Sequence, residues 1–68
     1  MKNYYVNNSA QSSGDHEVHT DECQYFNSIV SKKFLGSFSN CKPAVEEAKK
    51  TYSKSDGCKT CCNECHKN

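Results

Sequence analysis

The chain has 68 residues, six of them Cys, with a formal net charge of +1. Only nine positions are Val, Ile, Leu or Phe, and Trp is absent, so a self-sufficient hydrophobic core is excluded at this length. A near-neutral balance excludes charge repulsion as a reason for disorder, and one small domain over 1–68, stapled by its cysteines, is the expected organisation.

Tyr4, Tyr5 and Val6 are aromatic and β-branched and predict a first short strand. The stretch 7–15 (NNSAQSSGD) is polar and carries a Gly, and reads as a loop. Glu17, Val18 and His19 predict a second strand, leading through Thr20, Asp21 and Glu22 to Cys23. The segment 24–31 is ambiguous: Tyr25, Phe26, Ile29 and Val30 have helical spacing, but the run is short. The run 33–38 (KFLGSF) predicts a third strand, in which alternation puts Phe34 and Phe38 on one face with Gly36 between them.

One main helix follows. Ser39 or Asn40 supplies the N-cap, and Pro43 is tolerated in the first turn. Ala44, Val45, Ala48 and Tyr52 form an apolar stripe. Glu46 and Glu47 toward the start, with Lys49, Lys50 and Lys54 toward the end, suit the helix dipole. Ser55, Asp56 and Gly57 stop the helix, and a Cys-rich knuckle closes the chain. The fold expected is therefore α+β, a short antiparallel sheet of about three strands with one main helix.

Four residues have the spacing of a metal site. His19 and Cys23 are three residues apart in the loop sense, and Cys58 and Cys61 are two apart. Thiolate and imidazole at tetrahedral corners are the donor set of structural zinc, so zinc on His19, Cys23, Cys58 and Cys61 is the expected cofactor, within a metal module spanning 18–65. Closing 24–57 on one ion ties sheet to helix. Cys62 in place of Cys61 is the alternative ligand. A redox Cys-x-x-Cys is the competing reading, but it lacks a βαβ context. Disulfides are the other staple open to six cysteines. The start of the chain has no apolar run of signal-peptide length, and a reducing cytoplasmic setting, with thiols free for metal, is expected from that. Nine Lys with no Arg, and abundant Ser and Asn, match AT-rich bacterial or phage coding.

The order Val18-His19-x3-Cys23, then 34–38 (FLGSF), an Ala-rich helix, and Gly57-Cys58-x2-Cys61 resembles the zinc-binding domain of Ada-type DNA repair proteins and related small bacterial proteins. The resemblance covers about 18–61 and implies a zinc site and its fold. In that family four cysteines hold zinc and the first accepts a methyl group from DNA phosphotriesters. His19 stands at that position here, and an imidazole does not replace an activated thiolate, so the resemblance implies metal and fold rather than repair.

Of the remaining cysteines, Cys41 falls near a helix N-terminus, where a thiolate is favoured; a small buried residue behind the metal is the plainer reading. A second site on Cys41, Cys62, Cys65 and His66 is the disfavoured alternative, because adjacent Cys65 and His66 point in awkwardly different directions. His16 reads as a loop histidine or as lining a cleft by the metal. Asp15, Glu17, Asp21 and Glu22 form a mildly acidic, solvated region. No catalytic motif occurs: there is no His-Glu-x-x-His, phosphate loop or nucleophile elbow.

Two functions are consistent with this. One is a non-enzymatic zinc module that binds another protein as adaptor or small inhibitor, with Tyr4, Tyr5 and Tyr25 as candidate contacts. The other is a nucleic-acid or nucleotide binder using Lys32, Lys33, Lys42, Lys49, Lys50, Lys54 and Lys59 on phosphates, although a pI near 7.6 and the lack of Arg count against base readout. A thiol-redox or metal-handling role is a third. No apolar segment is long enough for a membrane partner.

Overall fold

A computed structural model describes residues 1–67. Four strands are present: β1 (Lys2–Asn7), β2 (His16–Thr20), β3 (Lys32–Phe38) and β4 (Ser55–Gly57), with one helix, α1 (Cys41–Lys49), between β3 and β4. Single 3-10 turns lie at Phe26–Ser28 and Asn63–Cys65. The ambiguous segment 24–31 thus holds one tight turn and no longer helix.

The sheet order is β3-β1-β2-β4. β1 pairs antiparallel with both β2 and β3, but β2 and β4 run parallel, with Val18 opposite Gly57. The expected three-strand antiparallel sheet is therefore corrected to a mixed sheet of four. The fourth strand occupies the residues expected only to stop the helix. Ser, Asp and Gly have little strand preference; they become a strand because α1 carries the chain back across the sheet and leaves it beside β2. All three are buried. Ser55 Oγ donates to Tyr52 O at 2.6 Å, and the Asp56 carboxylate accepts from Lys67 N at 3.0 Å.

Alternation sends Tyr4 and Val6 of β1, and Val18 of β2, toward α1, whose Ala44, Val45 and Ala48 meet them. Asn40 is the cap: its Oδ1 accepts from Lys42 N at 2.9 Å. The helix ends at Lys49, before Lys54, so its charge pattern is simpler than expected: no acidic residue lies in the first turn, and Lys49 is the basic residue of the last. Tyr52 leaves the helix to stack on His16, with ring centroids 3.8 Å apart, and its hydroxyl donates to Asn8 Oδ1 at 2.8 Å.

β3 departs from simple alternation. Tyr4 pairs with Gly36 but Tyr5 with Phe34, so Leu35 is an extra residue, a bulge. One inserted residue reverses the facing of all that lies beyond it. Phe38 accordingly packs near Tyr4 on the helix side, at 6.1 Å between centroids. Phe34 turns to the other face, 5.1 Å from Tyr5. The two phenylalanines expected on one face lie on opposite faces. Gly36, at φ +133°, adopts backbone that L side chains rarely take.

The core is as thin as composition implies. Val6 and Val18 are its largest fully buried side chains, and Cys23, Cys41, Cys58 and Cys62 make up much of the remainder. No helix among the described residues is long and apolar enough to cross a membrane.

Candidate metal centre

The parallel pairing of β2 and β4 builds the site. Cys58 N donates to Val18 O at 2.9 Å, so the chain leaves β4 directly beside His19. His19 faces away from Val18, on the side of its cross-strand neighbour Tyr5. After β2 the chain turns, with Cys23 N donating to Thr20 O at 3.1 Å, which brings Cys23 back under the imidazole. After β4 a second turn, Cys62 N to Cys58 O at 2.8 Å, presents Cys61 to the same point.

His19, Cys23, Cys58 and Cys61 thus come together, with all four ligand atoms within 4.8 Å of one another. Cys23 Sγ lies 3.5 Å from His19 Nδ1 and 4.0 Å from Cys58 Sγ. Cys61 Sγ lies 3.8 Å from His19 Nδ1. A tetrahedron with metal–sulfur bonds of ~2.3 Å and a metal–nitrogen bond of ~2.05 Å has edges of ~3.8 and ~3.6 Å. The donor spacing matches, and it is too wide for sulfur–sulfur bonds. These four residues could hold a metal ion. His19, Cys23 and Cys58 are buried and Cys61 is partly exposed.

Residues outside the four complete the arrangement. Nδ1 of His19 points at the sulfurs, which leaves Nε2 as the donor toward Glu17 Oε1 at 3.3 Å. A carboxylate on the far nitrogen fixes the tautomer and raises the basicity of a ligating imidazole. Sequence reading put Glu17 among solvated acids; the signal was its position two residues before His19 on one strand face. Thr20 N donates to Cys61 Sγ at 3.4 Å. Burial pushes the Cys58 thiol up to about 11, against the N–H groups of Cys61 and Thr60, which lower it. Burial also raises Cys23. Cys61 is raised chiefly by its hydrogen bond with Cys62, then by burial. Without an ion these ligands favour the protonated form, so metal binding must displace protons.

The other cysteines depart from expectation in part. Cys41 is buried in the core, in line with the packing reading, and is also bonded to Cys65 in a disulfide, which excludes the second four-residue site with Cys62 and His66. Spacing does not reveal connectivity, so sequence held no signal for this pair. Cys62 is a buried thiol 3.9 Å from Cys61 Sγ; its partner's hydrogen bond lowers its pKa, and it sits beside the gathered four rather than among them. His66 Nδ1 contacts Gly57 O at 3.1 Å and Asp56 at 3.3 Å. His16 belongs to β2 and approaches Asn7 O at 2.9 Å, away from the metal ligands. The acidic region is dispersed: Glu22 pairs with Lys2 at 3.3 Å, Asp21 accepts from Asn3, and Asp15 is buried.

Fold and site together define a small α+β module with a His/Cys group at the ends of two parallel strands that could hold a metal ion. No protein-family model, no curated protein and no solved structure matches the chain.

Proposed function

We propose that this is a non-enzymatic, zinc-stabilised module that works by binding another protein, as an adaptor or small inhibitor. The observation that carries the first half is the donor set: three Cys sulfurs and one imidazole at tetrahedral spacing, mostly buried. That set is characteristic of structural zinc, whereas catalytic zinc keeps one position for water. Three thiolates and a divalent ion would bring the formal charge of +1 to zero. The Ada-type likeness of the motif order agrees with zinc as the ion and leaves repair aside.

The second half rests on the outer surface. β3 closes one side of the sheet, with β1 as its sole strand neighbour among the described residues, and such an edge accepts an added strand. Beside it Phe34 and Tyr25 are half exposed and Val30 is fully so. Tyr5 and Phe26, 5.0 Å apart, support this aromatic surface from below. The nucleic-acid reading has less behind it, because four of its seven lysines, Lys32 among them, have partners within the chain. Lys33 donates to Thr51, Lys54 to Ser13 O, and Lys50 pairs with Glu47.

Native mass spectrometry of the purified chain, before and after acid, tests the metal: one zinc per chain, lost with unfolding, is expected. A photo-crosslinking residue at position 34, with position 46 on α1 as control, tests the surface. A discrete protein adduct from 34 alone supports the proposal. Nucleic-acid adducts, or a low-salt mobility shift that fades steeply with added salt, would replace it with the second reading.

A further inference from the structure

The Cys41–Cys65 disulfide lies in the wall of a groove with room for about 540 Å³. Cys41 and Lys42 at the start of α1, Asp56 of β4, and Cys65 and Lys67 of the C-terminal segment line it. The two sulfurs are not equivalent. Cys41 is buried, while Cys65 is partly exposed, so a nucleophile in the groove reaches the Cys65 side.

We propose that the Cys41–Cys65 bond is a thiol-exchange site, opened by small thiols that enter this groove, and that its state sets how tightly the neighbouring His19/Cys23/Cys58/Cys61 group holds its ion. The second clause rests on the metal reading above; the first does not.

The chemistry is ordinary exchange through a mixed disulfide. A small-molecule thiolate attacks Cys65 Sγ, a new sulfur–sulfur bond forms there, and the Cys41–Cys65 bond breaks. The electron pair leaves on Cys41 Sγ, in the first turn of a nine-residue helix, where the dipole favours an anionic leaving group; the thiolate then takes a proton from water. A second small thiol attacks the mixed disulfide, releases Cys65 as a thiol, and leaves as the oxidised small-molecule disulfide. Two thiols are oxidised and one protein disulfide is reduced. Small disulfides drive the reverse.

The coupling follows from where the bond sits. Cys58, Cys61 and Cys65 are on one short segment. His66 and Lys67 N attach it to β4, and Cys58 N on Val18 O and Thr20 N on Cys61 Sγ attach its first half to β2. The disulfide is what ties that segment across to α1. With it closed, Cys58 and Cys61 are held near His19 before an ion arrives. With it open, the segment has more conformations to lose on binding, and apparent affinity falls, by roughly tenfold or more for a closed loop of this length.

The test uses the full zinc-loaded chain equilibrated in glutathione buffers of graded redox poise. Alkylation with chelator present, read by intact mass, is expected to modify four thiols in the closed form and six after reduction, with glutathione mapped to Cys65 as the mixed intermediate. Zinc affinity, by competition with a chromophoric chelator, should drop about tenfold on opening. Cys65→Ser and, separately, Cys41→Ala should match the open form in every buffer while retaining their circular dichroism with zinc bound. Glutathione trapped on Cys41, a bond untouched by millimolar reduced glutathione in the folded chain, or equal zinc affinities in both states would overturn the proposal. Absence of zinc binding in both states would overturn the metal reading and the coupling with it, and leave the alkylation result to decide the exchange site by itself.

Discussion

The two staples are unequal, and their removal should separate them. Cys41 and Cys65 are 24 residues apart, and the entropy removed from an unfolded chain by a loop of that size corresponds to ~3.5 kcal/mol at 25 °C. For a domain of this length each kcal/mol moves the melting temperature by about 4–8 °C. Cys41→Ser with Cys65→Ser should thus lower the midpoint by roughly 14–28 °C and leave a cooperative, zinc-dependent transition. A zinc ion on the four gathered ligands, as proposed, would contribute more. Structural zinc supplies on the order of 10–16 kcal/mol, above the ~3–10 kcal/mol total stability usual for a chain this long, while the largest fully buried side chains, Val6 and Val18, contribute about 1.5–3 kcal/mol each. Cys58→Ser or His19→Ala should therefore abolish the folded state, as should a strong chelator on the parent chain. Thermal melts followed by circular dichroism, with and without chelator, make the comparison. A Cys58→Ser variant that melts cooperatively near the parent temperature, indifferent to chelator, would refute the reasoning.

Three further outcomes are expected. Glu17→Gln, which keeps the shape and removes the charge facing His19 Nε2, should weaken zinc binding about 10–100-fold with the fold intact, as read by chelator competition. Zinc affinity should rise with pH, because burial raises the thiols of Cys58 and Cys23 above their ordinary value of 9.0 and an ion must displace protons from three thiols; chelator competition at graded pH reads the slope, and a flat profile would contradict it. Gly57→Ala should disorder the knuckle, since an added Cβ would lie 2.6 Å from Cys62 O and 2.7 Å from Cys65 Cβ. A variant with unchanged zinc affinity and disulfide yield would contradict that packing.

The gathering of His19, Cys23, Cys58 and Cys61 was legible because it depends on short-range spacing. His19 and Cys23, or Cys58 and Cys61, reach one point through a single turn each, whatever surrounds them. The Asn40 cap, the Ala44, Val45 and Ala48 stripe, and the strand at Tyr4 to Val6 were legible for the same reason: capping and periodicity are local. Glu17 was half visible, since strand alternation puts it beside His19 while composition argues for solvent.

What only tertiary structure decided is non-local. Ser55, Asp56 and Gly57 carry no strand signal and pair with β2 because the helix returns them there. The Leu35 bulge, which separates Phe34 from Phe38, arises from register against β1 and not from any property of Leu35. The Cys41–Cys65 bond joins residues whose proximity depends on both the packing of α1 and the path after β4. By itself the sequence determined which side chains could share an ion, since a few bonds of backbone set that reach. Which strand lies beside which, and which sulfurs meet, was decided by the whole chain closing around one small core, because those contacts join residues far apart in sequence.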